Sequence, residues 1–408
     1  MKIAILGAGA SGMAAALQAA WNGADVTLFE RNAAVGRKLL VTGSGRCNIT
    51  NAGVAAEKYA CADPAWMETL LGRFGVSDWI DMLTAIGVPV QMTDDGWYYP
   101  LSNSAQSVVE AFASALEQAG VALLTAAQVS SLRAAGGGFG VRFWRDGREQ
   151  EQTFARAIVS AGGKAYPSLG SRGELFPVLE KLGHTVLPKR PALAPLLVDL
   201  GRLRPLQGMR LNVRASLLDS REQVLGATRG NLIFTEWGLN GPAVMDLSHL
   251  VSARPGQTIE LSLDLLGYIQ AEFDALLAQK RASSMPLGVF LDAFFAPKVS
   301  GLLLQIAHLA GEVALRDVDD ATLRRLVGGL KDMRLPVKGV RDFEFCQVSA
   351  GGVPVSEVDP QTMKSLRAPG LYLTGETLDV VGPCGGYNLQ FAFSSGALAG
   401  RAAAGKDG

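Results

Sequence analysis

Cysteine and histidine are scarce in this chain. Its 408 residues hold four cysteines (Cys47, Cys61, Cys346 and Cys384) and three histidines (His184, His249 and His308). No two cysteines form a C-x-x-C pair, so a disulfide framework or a zinc ribbon is not indicated, and no histidine-based metal site is expected. Net charge is missing too, because 38 Lys+Arg balance 38 Asp+Glu. No global basic field can therefore hold a nucleic acid by charge alone, although a local basic face remains open. There is no run of 18 apolar residues, so no membrane span is expected. Met1-Lys2-Ile3-Ala4-Ile5-Leu6 leads straight into a glycine turn, without the basic region, apolar stretch and cleavage site of a signal peptide. A reducing cytoplasm is the expected compartment.

What the chain does have is apolar bulk and glycine. Hydrophobic residues make up 48% and charged residues 19%, enough to build a large core and to exclude disorder. At roughly 150 residues per domain, two or three domains are expected. Glycine is 48 of 408, about 12% against a usual ~7%. With no collagen period, this points to many tight backbone sites.

The apolar run 2–6 reads as a buried strand, followed by a glycine turn and an Ala- and Leu-rich helix over 13–21 that Asn22-Gly23 caps. A second strand covers 26–30. Helical periodicity runs through 64–87 and 105–119, with a strand at 121–124. Strands at 139–144 and 152–156 alternate around Gly147, and another buried strand at 157–159 enters a glycine turn. Pro188, Pro191 and Pro195 mark a crossover between domains. Short strands follow at 211–218, 224–228 and 259–263, and helical spacing takes over through 270–332. Strands return after Pro336, and a last strand at 371–373 precedes a small-residue helix from about 388 to 404.

Three motifs carry chemistry. The first is Gly7-x-Gly9-x-x-Gly12, which follows a strand, opens a helix and has an acid, Glu30, at the end of the next strand. In that context it is a dinucleotide-binding fingerprint. Gly7 allows the turn, Gly9 lets backbone approach a pyrophosphate, and Gly12 lets helix and strand pack. Free N–H groups at the helix start meet the anion, and Glu30 accepts from ribose hydroxyls. The motif does not separate FAD from NAD. No second full fingerprint exists, since Ser160-Ala161-Gly162-Gly163 lacks the spacing. The second motif spans 35–51, with Gly36, Gly43 and Gly45 beside Arg37, Lys38 and Arg46; it suits a diphosphate and an electron-rich ring edge. The third runs from Gly375-Glu376 to Gly385-Gly386-Tyr387-Asn388. There an acid can bind ribityl hydroxyls, glycines admit a flat ring, and the last helix points its positive end at that ring.

Together these motifs resemble the BaiN/RdsA family of NAD(P)/FAD-dependent oxidoreductases, a branch of the two-dinucleotide-binding-domain flavoproteins. The resemblance spans nearly the whole chain and rests on 7–12, on 36–51 around Gly45-Arg46-Cys47-Asn48, on Ser349-Ala350-Gly351-Gly352-Val353 and on 375–388. It implies an α/β fold: a Rossmann-like FAD-binding domain formed by both chain ends (1–187 plus 349–408), an inserted β-rich, barrel-like domain (188–268 plus 333–348) and a small helical domain (269–332). It implies bound FAD, with NAD(P)H as a transient reductant. Ala10, Ser11, Lys38 and Leu39 fall on the pyrophosphate side. Glu30 and Arg31 meet the adenosine ribose, and Val129, after a strand ending near Ala127, meets adenine. Gly45, Arg46, Gly375, Glu376, Gly386, Asn388 and Leu389 lie along the ribityl chain and ring. The chain departs from the family's usual Gly-Gly-Gly at Gly43-Ser44-Gly45, and carries Cys384 where a polar residue is usual.

Resembling members reduce a uridine of large-subunit ribosomal RNA to dihydrouridine, or a conjugated double bond of a bile-acid intermediate. Both reactions deliver hydride to an electron-poor C=C and a proton to its neighbour. Cys47 is the candidate acid; Arg46 is expected to lower its pKa and favour thiolate, which works against a neutral proton donor. Trp97, Tyr98 and Tyr99 offer stacking surfaces for a base or a steroid, or an aromatic lid on the core. Arg202, Arg204, Arg210 and Arg214, and a second cluster of Arg324, Arg325, Lys331, Arg334 and Lys338, could meet RNA phosphate. A reductase of ribosomal RNA, a reductase of small enones, a non-enzymatic flavin redox or partner-binding protein, and a flavin halogenase or monooxygenase are the readings open at this point.

Overall fold

The computed structural model describes residues 1–405. The chain divides into two units, residues 1–192 with 343–408 and residues 193–342. The first is built on a five-stranded parallel sheet. β1 (Lys2–Leu6) lies at its centre between β2 (Asp25–Phe29) and Arg156–Val159; Ala122–Leu124 and Leu371–Leu373 form the edges. Covered on both faces, β1 can be apolar at every position from Ile3 to Leu6, as parallel strands usually are.

α1 (Ala10–Trp21) begins three residues before its periodic stretch, inside the glycine fingerprint. Alanine, the best helix former, supplies half its residues. Gly23 then reverses the chain at φ +82°. The C-terminal helix Tyr387–Ala403 lies against α1. A Cβ on Gly396 would sit 2.1 Å from the Ser11 carbonyl oxygen, and one on Gly400 would sit 2.3 Å from that of Ala15. Glycine at these two positions, one turn apart, lets the helix backbones touch.

The helical stretch expected over 64–87 is two helices, Pro64–Arg73 and Val76–Ala85. The break comes at Phe74, which is extended at φ −150°. Asp63 caps the first helix by accepting from the Ala65 and Trp66 N–H groups, and Asp78 accepts the Gly75 N–H at the start of the second.

The second unit is a closed six-stranded barrel in the order Leu196–Val198, Gly238–Asn240, Val224–Thr235, Arg210–Asp219, Ile259–Asp264, Met333–Val340. The strand expected to stop at Thr228 continues to Thr235, because 229–233 keep pairing with 210–214. The strand placed after Pro336 starts at Met333 and carries that proline within it. Gln270–Lys280, Leu287–Asp292, Pro297–Ala307 and Asp320–Lys331 supply the helices, and Phe273, Phe290, Leu303 and Leu326 join the barrel's own core. Among the described residues, no helix is long and apolar enough to cross a membrane.

Candidate cofactor site

The first unit gathers all three motifs. Gly7 turns at φ +107°, where a Cβ would lie 2.5 Å from the Ser160 carbonyl oxygen. A Cβ on Gly12 would lie 1.8 Å from the Gly7 carbonyl oxygen, yet one on Gly9 would meet nothing within 4 Å. Two glycines are therefore fixed by packing, and Gly9 leaves an open approach at the start of α1. That helix has no side-chain cap, so its first N–H groups, including those of Ala10 and Ser11, point at the opening as an anion site.

Glu30 is buried and held from both sides. One carboxylate oxygen accepts the Ala8 N–H at 2.9 Å, and the other accepts the Asn32 N–H and side-chain amide at 2.8 and 2.7 Å. Asn32 is steadied in turn by Arg37, which donates to its Oδ1 at 2.9 Å. Arg31 is tied to Glu174. The segment leading to Val129 lies beside Glu30: the Glu30 N–H donates to Leu124, and the Ala127 N–H donates to the Glu30 carbonyl. No strand ends near Ala127. The preceding strand stops at Leu124, and Val129 is the second residue of Gln128–Ala135, opposite Phe143.

The loop 42–47 has four left-handed residues among six: Gly43, Ser44, Gly45 and Cys47, at φ +56°, +59°, +85° and +61°. Arg46 stacks its guanidinium 4.7 Å above the Tyr99 ring and donates to the Gly43 carbonyl at 3.2 Å. The thiolate expected at Cys47 is not what the fold produces. Its side chain is fully buried, and burial pushes the thiol up to about 12, against a smaller opposing hydrogen bond with Thr42. Arg46 is exposed at the surface and does not offset that desolvation.

The chain's other end closes on these loops. Gly375, at φ +58°, leaves room for Ser11: a Cβ there would sit 2.8 Å from the Ser11 hydroxyl. Glu376 accepts from the Ser349 N–H and hydroxyl, both at 2.8 Å, and pairs with Lys38 at 2.6 Å. Lys38, assigned to the pyrophosphate, and Glu376, assigned to the ribityl chain that adjoins it, thus meet each other. Leu39 is buried in the core, which leaves its backbone as the part that can face an anion. Gly386, at φ +95°, caps the C-terminal helix where a Cβ would lie 2.6 Å from Thr50 backbone. Asn388, expected along the ribityl chain, instead clasps its own loop. Its Oδ1 accepts the Gly382 N–H and its amide donates to the Gly382 carbonyl, each at 2.8 Å. Leu389, beside it, is half-buried.

The sequence reading missed Asn32 and Gln390, and gave no individual role to Ser349, Thr50 and Asn51 within the stretches it singled out. Thr50 donates to Gln390 at 2.5 Å, and Asn51 donates to the Gly385 carbonyl at 3.1 Å, stitching the second motif to the third. The one signal for Thr50 and Asn51 was their polar type, shared with Asn48, at the end of the second motif. Trp97 lies under Gly385, 3.2 Å from where its Cβ would be.

These residues fit a flavin dinucleotide. Besides the open Gly9 approach, two buried polar atoms in the motifs have no protein partner, Asn48 Oδ1 and Thr377 Oγ1. Such atoms call for a polar ligand or water. The uncapped starts of α1 and of the C-terminal helix add two anion-favouring ends.

Known proteins agree with this geometry. A family model, the HI0933-like protein Rossmann domain, matches residues 1–402. The chain is 34% identical to the 3-dehydro-bile acid delta(4,6)-reductase of Clostridium scindens, over 99% of each chain. It is 29% identical to the ribosomal RNA dihydrouridine synthase of Escherichia coli, over 96% of this chain and 95% of that one. In fold it is similar to the 3-ketosteroid delta1-dehydrogenase of Sterolibacterium denitrificans, with a TM-score of 0.53 at 14% identity, covering 98% of this chain and 99% of that one. With matches that run its whole length, the chain belongs to the HI0933-like family, the BaiN/RdsA group of FAD-dependent oxidoreductases.

Proposed function

We propose that this protein is a cytoplasmic NAD(P)H-dependent reductase of an activated C=C bond, with a uridine of large-subunit ribosomal RNA as its substrate. Bound FAD would supply the hydride chemistry, with NAD(P)H as its reductant and a proton from solvent or a nearby acid completing the saturation. The start of α1, with Gly9, Ala10 and Ser11, would hold the pyrophosphate; Glu30 would hold the adenosine ribose, and Val129 would contact adenine. Gly45, Gly375 and Glu376 would border the ribityl chain. The free N–H groups behind Gly386 would stabilise negative charge on the ring edge. Full-length likeness to the ribosomal RNA dihydrouridine synthase of E. coli carries the substrate. The test is nucleoside mass spectrometry of ribosomal RNA from a deletion strain and its parent. Loss of dihydrouridine, restored by the gene, is expected; an unchanged level rejects the substrate.

A second reading, reduction of a small enone, draws on the higher identity to the bile-acid reductase. It predicts that enones reoxidise the NAD(P)H-reduced enzyme under anaerobic conditions and are saturated in the process.

A further inference from the structure

The barrel carries an arrangement that the cofactor site does not use. On the hairpin of Arg210–Asp219 and Val224–Thr235, the register sets Arg214 directly opposite Arg229, and Asn212 opposite Asn231. Strand alternation puts this row outside. Val213 and Ala215 are fully buried, whereas Arg210, Asn212, Arg214 and Arg229 are exposed. Directly opposed residues have Cβ atoms ~5 Å apart, and like charges at that spacing destabilise a sheet. Positions two apart on one strand are separated by roughly 6.7 Å, so Arg210 extends the row along the strand.

Arg210, Arg214 and Arg229 form no ion pair among the described residues. Other cations of this unit do find carboxylates: Arg334 meets Asp332, Glu222 and Glu260, and Lys338 meets Asp199. The second basic cluster read from the sequence is thus partly neutralised by ion pairs, and the first is not. Asp264 faces Arg214 on the other flank; its carboxylate accepts the Leu266 N–H and makes no ion pair with Arg214, though it offsets part of the positive charge there. The Arg214 stem packs over Gly267, where a Cβ would come 2.5 Å from its Cγ.

We propose that this row is an anchor for the phosphate backbone of single-stranded RNA, an inference that rests on the ribosomal substrate proposed above. Guanidinium groups donate in the fork geometry that phosphate oxygens accept, and asparagine amides donate to phosphate or ribose hydroxyls. A polyanion would remove the repulsion that the Arg214–Arg229 pair imposes on the free protein. The row lacks the apolar, charge-poor centre that a protein partner needs.

The experiment is fluorescence anisotropy of a poly(U) oligonucleotide against salt, using the full-length holoenzyme. The double variant Arg214→Gln/Arg229→Gln keeps polar stems on the outer face, and unchanged FAD content with a melting temperature no lower than that of the wild type would show that it folds. Removing two phosphate contacts lowers the slope of log K against log salt by about 1.4, which is roughly 50-fold in affinity near 50 mM salt. The double Lys variant keeps the slope. An unchanged slope in the Gln variant overturns the anchor, as does a wild type that ignores poly(U) or binds polyglutamate equally well. The ribosomal substrate is judged separately. Dihydrouridine lost on deletion with poly(U) binding unchanged in the variant rejects the anchor alone; unaltered dihydrouridine with a slope that falls as expected rejects the substrate alone.

Discussion

Cys47 shows how little a residue's sequence neighbours say about its environment. Beside Arg46 it reads as an activated thiolate; folded, it is a neutral thiol with no exposed surface. Protonation alone would suit an acid, but a side chain with no exposed surface cannot reach a substrate, so Cys47→Ala should leave turnover within about two-fold and cost about 1 kcal/mol of stability, a usual price for a small buried truncation. Steady-state rates of the FAD-loaded variant check this, and a loss of 100-fold or more with FAD intact would restore the acid role. The same loop explains the family's preference for three glycines. Gly43, Ser44 and Gly45 are all left-handed, a region where any side chain is disfavoured. The glycines were legible as a tight loop. Which residues would take positive φ was not, because Ser44 and Cys47 are residue types that do not themselves favour that region.

At the level of elements, the opening β1–α1–β2 was legible because local signals agree: a continuous apolar strand, a glycine turn and an alanine-rich helix. The C-terminal helix was legible as small residues, but its partner was not, since α1 lies nearly 380 positions earlier. Gly396 records that contact, its missing Cβ leaving 2.1 Å to the Ser11 oxygen. Gly396→Ala should force the two helices apart and cost about 3 kcal/mol, the upper range for overpacking. Because Ser11 opens the anion site, FAD affinity should fall with stability. A melting temperature unchanged by the substitution, measured by circular dichroism, would contradict the crossing. Sequence also missed the clasp at His184. Ser365, His184 and Glu357 line up as hydroxyl, imidazole and carboxylate, each step 2.8 Å. All three are buried, and the Ser365 oxygen already accepts the Arg367 and Ala368 N–H groups. The line is a latch between distant segments, with no free nucleophile.

For the whole molecule, charge balance makes that latch matter. With net charge zero, no global repulsion sets the pH response near neutrality, so individual sites do. Burial holds His184 below its ordinary 6.5, outweighing the attraction of Glu357. A neutral ring donating from Nδ1 to Glu357 and accepting from Ser365 at Nε2 satisfies both nitrogens. Glu357 stands below its ordinary 4.5: burial alone would raise it, but hydrogen bonds from Thr185, His184 and Arg367 prevail. Both shifts have the same sign. Above pH 6.5 neither the folded nor the unfolded chain protonates His184, and its contribution is complete. As pH falls below 6.5 the unfolded chain takes up the proton first, so stability drops, by at most about 1.4 kcal/mol per pH unit for one proton. Glu357 adds a second loss only below about pH 4.5. Urea unfolding at steps between pH 7.5 and 5 should show this decline, and His184→Gln, which cannot titrate, should flatten it there while leaving the steeper fall below 4.5. A decline of equal slope in the variant would place the acid sensitivity elsewhere in the fold.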